Sequence, residues 1–332
     1  MPEDIEKQKL LYNTVLAQTF SPSGKFLICS NIYGDISIFD IPKVLGPSKE
    51  NDNDLQGPLY KFTAHADHHV ESMVTTDNFL VTGTAGEICG WDWKVLTSDK
   101  ASKMKVSWTV PMPVDRDTSE KPDVNYMVYS KSNHILYAGC GDNKIYALDM
   151  EHGKVLRKFE GHTDYIHSLA LLNNQLASTS EDGSVRLWDL RKNDNTNIIQ
   201  PHLFDKVARP RLGKWIGAVD FTDDWLVCGG GPSLSLWHLR TMEPATIFEL
   251  PDQGIHVVSI YEERIIAGGA MPHVYHLSYQ TDTLAKVPTS SNTVYSIVYH
   301  ETPQKILSIA GSSNNIDICT NFNYRELMLR FA

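Results

Sequence analysis

The chain has 332 residues, 42% of them hydrophobic, enough to bury a large core. Acidic residues outnumber basic ones 40 to 30, for a formal net charge of −10, which argues against a nucleic-acid binder working by bulk attraction to phosphate. Five widely spaced cysteines set mostly in apolar runs, with no CxxC pair, read as small buried hydrophobes in a reducing compartment and argue against a disulfide framework.

Residues 1–13 read as a helical extension, with a short helix over Pro2–Tyr12, Pro2 near its first turn and Ile5, Leu10 and Leu11 free to pack. This start is charged and lacks the apolar centre of a signal peptide, and no stretch approaches the roughly 20 apolar residues of a membrane span. The expectation is a soluble intracellular protein. From residue 14 to 332 the chain repeats one unit: a short apolar run, a Gly-, Asn- or Asp-bearing turn, then an alternating run. KFLICS is followed by DISIFD, FLVTGT by EICGWDW, ILYAGC by KIYALDM and QLASTS by SVRLWDL. WLVCGG then precedes LSLWHL, RIIAGG precedes HVYHL, and ILSIAG precedes NIDICT. The aromatic or apolar residue closing each second run falls at Phe39, Trp91, Leu148, Trp188, Trp237, Tyr275 and Ile318, at spacings of 52, 57, 40, 49, 38 and 43 residues. Insertions near 43–58, 97–123 and 191–212 account for the longer spacings. The first two are rich in Pro, Ser, Asp and Lys, as mobile surface loops are.

Residues 160–191, EGHTDYIHSLALLNNQLASTSEDGSVRLWDLR, show why the unit has these residues. Gly161-His162 opens it and Trp188-Asp189 closes it, the pattern of a WD40 blade of four short antiparallel strands. The Trp188 indole is expected to donate to Ser178, Ser178 to His162, and His162 to Asp182, satisfying four buried polar groups in one chain. A single blade cannot bury both its faces, and seven marks mean seven blades. The fold class is therefore an all-β, seven-bladed WD40 propeller with a short N-terminal helix. Tyr324–Phe331 can supply the outer strand of the last blade and Leu59–Ala64 that of the first, which predicts ring closure by packing without strand exchange.

Other constellations have bland explanations. Ser178, His162 and Asp182 have the residue types of a nucleophilic triad, but the tetrad explains them and no GxSxG turn occurs. His65–His69 and the pair His162 and His167 lack the three or four ligands at set spacing that zinc requires, so no metal or other cofactor is expected. Gly229–Gly231 in VCGGGPSL lie between two strands, with no GxxxxGK[ST], and read as a turn needing unusual backbone angles. Lys206, Arg209, Arg211 and Lys214 form a basic run, expected as an exposed loop that balances an acidic protein. Trp188-Asp189-Leu190-Arg191 matches the WDxR box of WD40 substrate receptors in cullin–RING ubiquitin ligases, which makes Trp188, Asp189 and Arg191 a candidate adaptor-docking box. Complete tetrads are sparse: blade two has His65 and Trp91 but Ala85 where Asp would fall, and blade five has Trp237 but Gly231.

Beyond the generic repeat, GKWIG (213–217) and VCGGGPSLSLWHLR (227–240), with SPSGKFL, NIYGDISIF and TNFNYR, extend over nearly the whole chain and resemble the THO complex subunit 6 family. That resemblance implies a non-enzymatic nuclear scaffold that helps couple transcription and processing to mRNA export within the TREX assembly. Its implied partners are other THO subunits, notably five and seven, with RNA contact weak or indirect, and with neither a membrane nor a small-molecule substrate. The alternative function is a ubiquitin-ligase substrate receptor. A propeller binds partners mainly where the loops entering its innermost strands converge. On that face Tyr165 and Trp215 fall at matching positions of neighbouring blades, flanked by Asp164 and Lys214, and aromatic anchors beside charge suit a partner-binding hot spot.

Overall fold

The computed structural model describes residues 8–46, 57–98, 104–114, 121–192 and 194–332. It is a ring of seven four-stranded antiparallel sheets, each built from four strands consecutive in sequence. Blade four runs Ile166–Leu172, Gln175–Ser180, Val185–Asp189 and Asn195–Ile199 from the ring axis outward. Burial follows the same order. A second strand such as Phe26–Asn31 is buried along its whole length, because neighbouring blades cover both of its faces. An outer strand such as Lys154–Phe159 alternates between exposed and half-buried residues until Phe159 turns into the core.

The third strands of the first four blades end in an aspartate, Asp40, Asp92, Asp149 and Asp189, and each makes the same local device. Its carboxylate accepts backbone N–H groups two or three residues on: Lys43 at 3.3 Å, Lys94 at 2.7 Å, Glu151 at 2.8 Å and Arg191 at 3.1 Å. The aspartate of Trp-Asp is therefore a strand terminator that starts a turn. In blades one and two that turn continues into single helical turns, Ile41–Val44 and Trp93–Leu96.

The register corrects two of the seven marks. In blades one to five the second residue of the second strand faces the mark: Leu27 with Phe39, Leu80 with Trp91, Leu136 with Leu148, Leu176 with Trp188 and Leu226 with Trp237. The equivalent pairs in blades six and seven are Ile265 with Leu277 and Leu307 with Cys319. Tyr275 and Ile318 are thus two and one residues early; they are bulkier apolar neighbours of the true positions. The third insertion also needs correcting. Asn195–Ile199 is the regular outer strand of blade four, so the extra length lies in two 3-10 turns, Pro201–Leu203 and Pro210–Leu212. Of the predicted N-terminal helix, residues 8–11 are helical, and residues 1–7 lie outside the described residues, as do 47–56, 99–103 and 115–120 of the other two insertions.

Blades one and seven meet through packing. Leu327–Arg330 is the outer strand of blade seven and Tyr60–Thr63 that of blade one, so neither borrows a strand. Val15, Leu27, Cys29 and Phe39 share one core with Ile306, Ile316, Leu329 and Phe331. Ser37 Oγ donates to the Phe331 carbonyl at 2.8 Å, and Asn13 Nδ2 to Asn314 Oδ1 at 2.9 Å.

Candidate functional site

The blade-four tetrad forms as its residue types demand. Trp188 Nε1 donates to Ser178 Oγ at 2.8 Å, Ser178 Oγ lies 2.7 Å from His162 Nε2, and His162 Nδ1 lies 2.8 Å from Asp182 Oδ2. The Asp182 carboxylate also accepts Thr163 N, Ser184 N and Ser184 Oγ. Burial alone would raise the Asp182 carboxyl, but hydrogen bonds from His162 and Ser184 bring it well below the usual carboxylate range. Burial holds His162 below the ordinary histidine value against the pull of Asp182, so a neutral ring donates through Nδ1 and accepts through Nε2. Ser178 is fully buried beneath the indole whose N–H it accepts, a position no substrate carbonyl can approach. The three residues that resemble a triad are a structural pin.

These shifts set an acid limit to stability. The folded values of His162 and of the fully buried His276 lie below the unfolded value of roughly 6.5; burial, then Arg264, pushes His276 down to about 4. As pH falls below that unfolded value the denatured chain takes up protons that the folded chain refuses, so stability declines. Asp182, depressed in the folded state, adds a further loss once pH drops below the unfolded carboxylate range. Neither ring nitrogen of His276 has a hydrogen-bond partner. His276→Leu is therefore expected to flatten the decline between about pH 6.5 and 4 and to add about 1 kcal/mol near pH 6. Urea midpoints measured across that range check it, and a wild-type profile that is flat would contradict the expectation.

A different repeated device shapes the ring axis. The innermost strands of blades one, three, four, five, six and seven each carry a register shift at their start. The residues left unpaired are Leu16, Asn125, His167, Gly217, His256 and Tyr295. A bulge re-aims its extra side chain, and all six residues line the central channel, a cavity of about 1340 Å³. His167, His256 and Tyr295 of this lining join Trp215, which lies between the first two, in an aromatic arc across blades four to seven. Trp215 stacks on His256 with centroids 5.3 Å apart and planes at 19°, His167 meets Trp215 edge-on at 6.3 Å, and His256 tilts against Tyr295 at 5.4 Å. His167 Nε2 is held by Glu181 at 2.8 Å.

The residues expected on this face separate into two groups. Tyr165 is 56% exposed and lines the channel mouth, with Asp164 beside it accepting the Tyr165 N–H at 2.9 Å. Lys214 is exposed, whereas Trp215 is half-buried and fixed: its Nε1 donates to the Leu212 carbonyl at 2.9 Å. Its ring lies over Gly217 and Gly254, where an added Cβ would stand 2.7 and 2.8 Å from ring carbons. Sequence reading missed His256 and Tyr295; each is the unpaired residue at the start of its inner strand.

The glycine run differs from expectation. None of Gly229, Gly230 and Gly231 has positive φ. At Gly230 and Gly231 the neighbouring backbone leaves no room for a side chain: a Cβ would lie 2.1 Å from the Trp215 carbonyl at Gly230, and 2.4 Å from the Gly213 carbonyl at Gly231. The basic run is likewise engaged. Arg209 donates to the carbonyls of Gly230, Gly231 and Pro232 at 3.0, 2.7 and 3.0 Å, which clamps that same loop, and Arg211 pairs with Asp252. Only Lys206 and Lys214 of the four remain exposed without such a clamp among the described contacts.

In the WDxR box Trp188 is buried in the tetrad, while Asp189 and Arg191 lie at the opposite end of the blade from Asp182. Arg191 donates to both Asp189 oxygens, at 2.8 and 2.7 Å, and its side chain is 73% exposed. The guanidinium, with the Arg191 N–H, holds the Asp189 carboxyl far below its usual range.

Comparison with known proteins fits this geometry. Residues 153–189, the stretch holding the complete tetrad, match the family described as WD domain, G-beta repeat. The chain is 37% identical to the THO complex subunit 6 homolog of Danio rerio, over 97% of this chain and 99% of that protein. It is also 37% identical to THO complex subunit 6 of Drosophila melanogaster, over 96% and 89%, and to that of Homo sapiens, over 97% and 94%. With a ring of seven blades and relatives matched along its whole length, the chain belongs to the THO complex subunit 6 family of WD40 proteins.

Proposed function

We propose that the chain is a non-enzymatic scaffold subunit of the THO complex, working in the nucleus to couple transcription and processing to mRNA export. The observation that carries this reading is the match to THO complex subunit 6 proteins over 97% of the chain, every blade included. The polar groups of its best-formed blade are consumed in holding the blade together, which leaves surfaces to do the work. The partners are other THO subunits, notably five and seven, and the channel-mouth face with Asp164, Tyr165, Lys214 and Trp215 is the surface offered to them. A net charge of −10 and the engagement of Arg209 and Arg211 favour protein partners, with RNA contact weak or indirect.

The test is capture of the tagged protein from nuclear extract after RNase treatment, with bound proteins identified by mass spectrometry. THO subunits in near-stoichiometric amount are the expected result; a cullin adaptor recovered without THO would support the ligase-receptor reading instead. Two variants sharpen it. Arg191→Ala breaks an exposed clamp, so neither the unfolding midpoint nor THO recovery should change measurably. Tyr165→Ala should leave the fold intact, since the side chain is mostly exposed, yet reduce THO recovery at least roughly tenfold, the size of an interface hot spot. Undiminished recovery with Tyr165→Ala would remove this face as the docking surface.

A further inference from the structure

The histidine that opens blade two stands where His162 stands in blade four but has different neighbours. His65 Nε2 lies 3.3 Å from Thr82 Oγ1, and Trp91 Nε1 donates to that hydroxyl at 3.0 Å, so three tetrad members are present. The turn between the second and third strands of blade two, however, is only Ala85-Gly86, with Thr84 paired directly to Glu87. Five residues, 180–184, fill the same turn in blade four and carry Asp182. The shorter turn has no place for the aspartate. A carboxylate arrives instead from the third strand: Glu87 Oε1 is 3.6 Å from His65 Nδ1 and 3.7 Å from Cys89 Sγ. His65 and Cys89 are buried, Glu87 is partly exposed, and the three ligand atoms lie within 4.8 Å of one another.

The first of these separations is too long for a hydrogen bond, and both have the size of the edges of a metal tetrahedron. Zinc bonds of about 2.05 Å to nitrogen, 2.1 Å to oxygen and 2.3 Å to sulfur, at tetrahedral angles, put N and O about 3.4 Å apart and O and S about 3.6 Å apart. We propose that His65 Nδ1, Glu87 Oε1 and Cys89 Sγ form a site for one zinc ion, with the fourth position open to solvent on the Glu87 side. One nitrogen, one oxygen and one sulfur donor suit Zn²⁺ better than the harder Ca²⁺ or Mg²⁺. The outer contacts are also those of a metal site. Thr82 Oγ1 can accept the His65 Nε2 proton and so present Nδ1 as the lone pair, and Thr109 Oγ1 lies 3.4 Å from Cys89 Sγ, where it can donate to a thiolate. On binding, the Cys89 S–H bond breaks, the sulfur electron pair goes to zinc and the proton leaves to solvent, so affinity rises with pH.

Among the described residues, a second group of metal-ligating side chains, Asp149, Glu151 and His152, does not share this geometry. Asp149 Oδ2 and His152 Nδ1 are already in contact at 2.7 Å, a direct hydrogen bond with no span for an ion between them. In blade two the ion would do the work that the His162–Asp182 bond does in blade four, tying the entering loop to the sheet.

The experiment uses the full chain, stripped with chelator and then titrated with Zn²⁺ and Co²⁺. The expected result is one zinc per chain by metal analysis, with Co²⁺ giving a thiolate charge-transfer band and the intense d–d bands of a tetrahedral ion. Cys89→Ser should abolish the charge-transfer band and weaken zinc by more than the roughly 10–100-fold typical of second-shell losses. Glu87→Gln, on a partly exposed side chain that folding tolerates, should weaken zinc by at least as much. Cys140→Ser, at a fully buried cysteine of blade three, should change neither. Substoichiometric zinc in the wild type, or zinc binding that survives both Cys89→Ser and Glu87→Gln, would overturn the proposal. THO recovery plays no part in this readout, so the two proposals fail separately.

Discussion

Deleting residues 324–332 is expected to destabilise the protein by on the order of 5 kcal/mol, more than any surface change. The deletion removes Leu327–Arg330, the outer strand of blade seven, together with Leu329 and Phe331, both with no exposed surface. Burying each such side chain contributes about 1.5–3 kcal/mol. The lost polar contacts add to this: Ser37 Oγ to the Phe331 carbonyl, Phe331 N to the Asn314 carbonyl, and Asn314 Nδ2 to the Ala332 carbonyl. The third strand, Asn315–Cys319, would become an unprotected edge, and aggregation should accompany the loss. Phe331→Ala is the milder form, with about 3–5 kcal/mol expected. Urea unfolding of the three proteins measures both losses. An unchanged midpoint for the truncated chain would mean that blade seven does not depend on its last strand.

Trp188→Ala should cost about 3–5 kcal/mol, since it opens a cavity under Phe159 and His162 and removes the donor to Ser178. Trp188→Phe keeps most of the ring volume and loses the indole N–H, so about 1–2 kcal/mol is expected. Asp182→Ala acts at the far end of the same chain, leaving His162 Nδ1, Thr163 N and both Ser184 donors without their acceptor, for about 2–3 kcal/mol. Because the hydrogen bonds run in series, Trp188→Phe combined with Asp182→Ala should cost less than the two separately. Strict additivity in a double-mutant cycle would show that the tetrad does not act as one unit.

The ring and the tetrad were readable because both rest on local pattern. Trp188, Ser178, His162 and Asp182 are residue types whose donors and acceptors can run in one continuous chain, and the structure joins them in that order. In two third strands bulk and position part company: Tyr275 outranks Leu277 and Ile318 outranks Cys319 in size, whereas position is set by pairing with Ile265 and Leu307. The glycine run differs from its local pattern for a related reason. Positive φ leaves a trace in local sequence, but the approach of the Trp215 carbonyl to Gly230 is a contact between distant backbone segments. The channel arc was hidden for the same cause, since His167, Trp215, His256 and Tyr295 become neighbours only when four blades stand side by side.

The seam between blades one and seven bears on how the chain is made. Every sheet consists of strands consecutive in sequence, so each is complete once its own segment has left the ribosome. At a synthesis rate of roughly 5–20 residues per second, a segment of some fifty residues emerges in about 3–10 seconds, long enough for hairpins to form and dock on the blade before. A propeller closed by strand exchange would hold one sheet unfinished from the first codon to the last. Here the part that waits is an apolar flank of blade one, with Val15, Leu27 and Phe39, and it is covered only once the strand carrying Leu329 and Phe331 has been made.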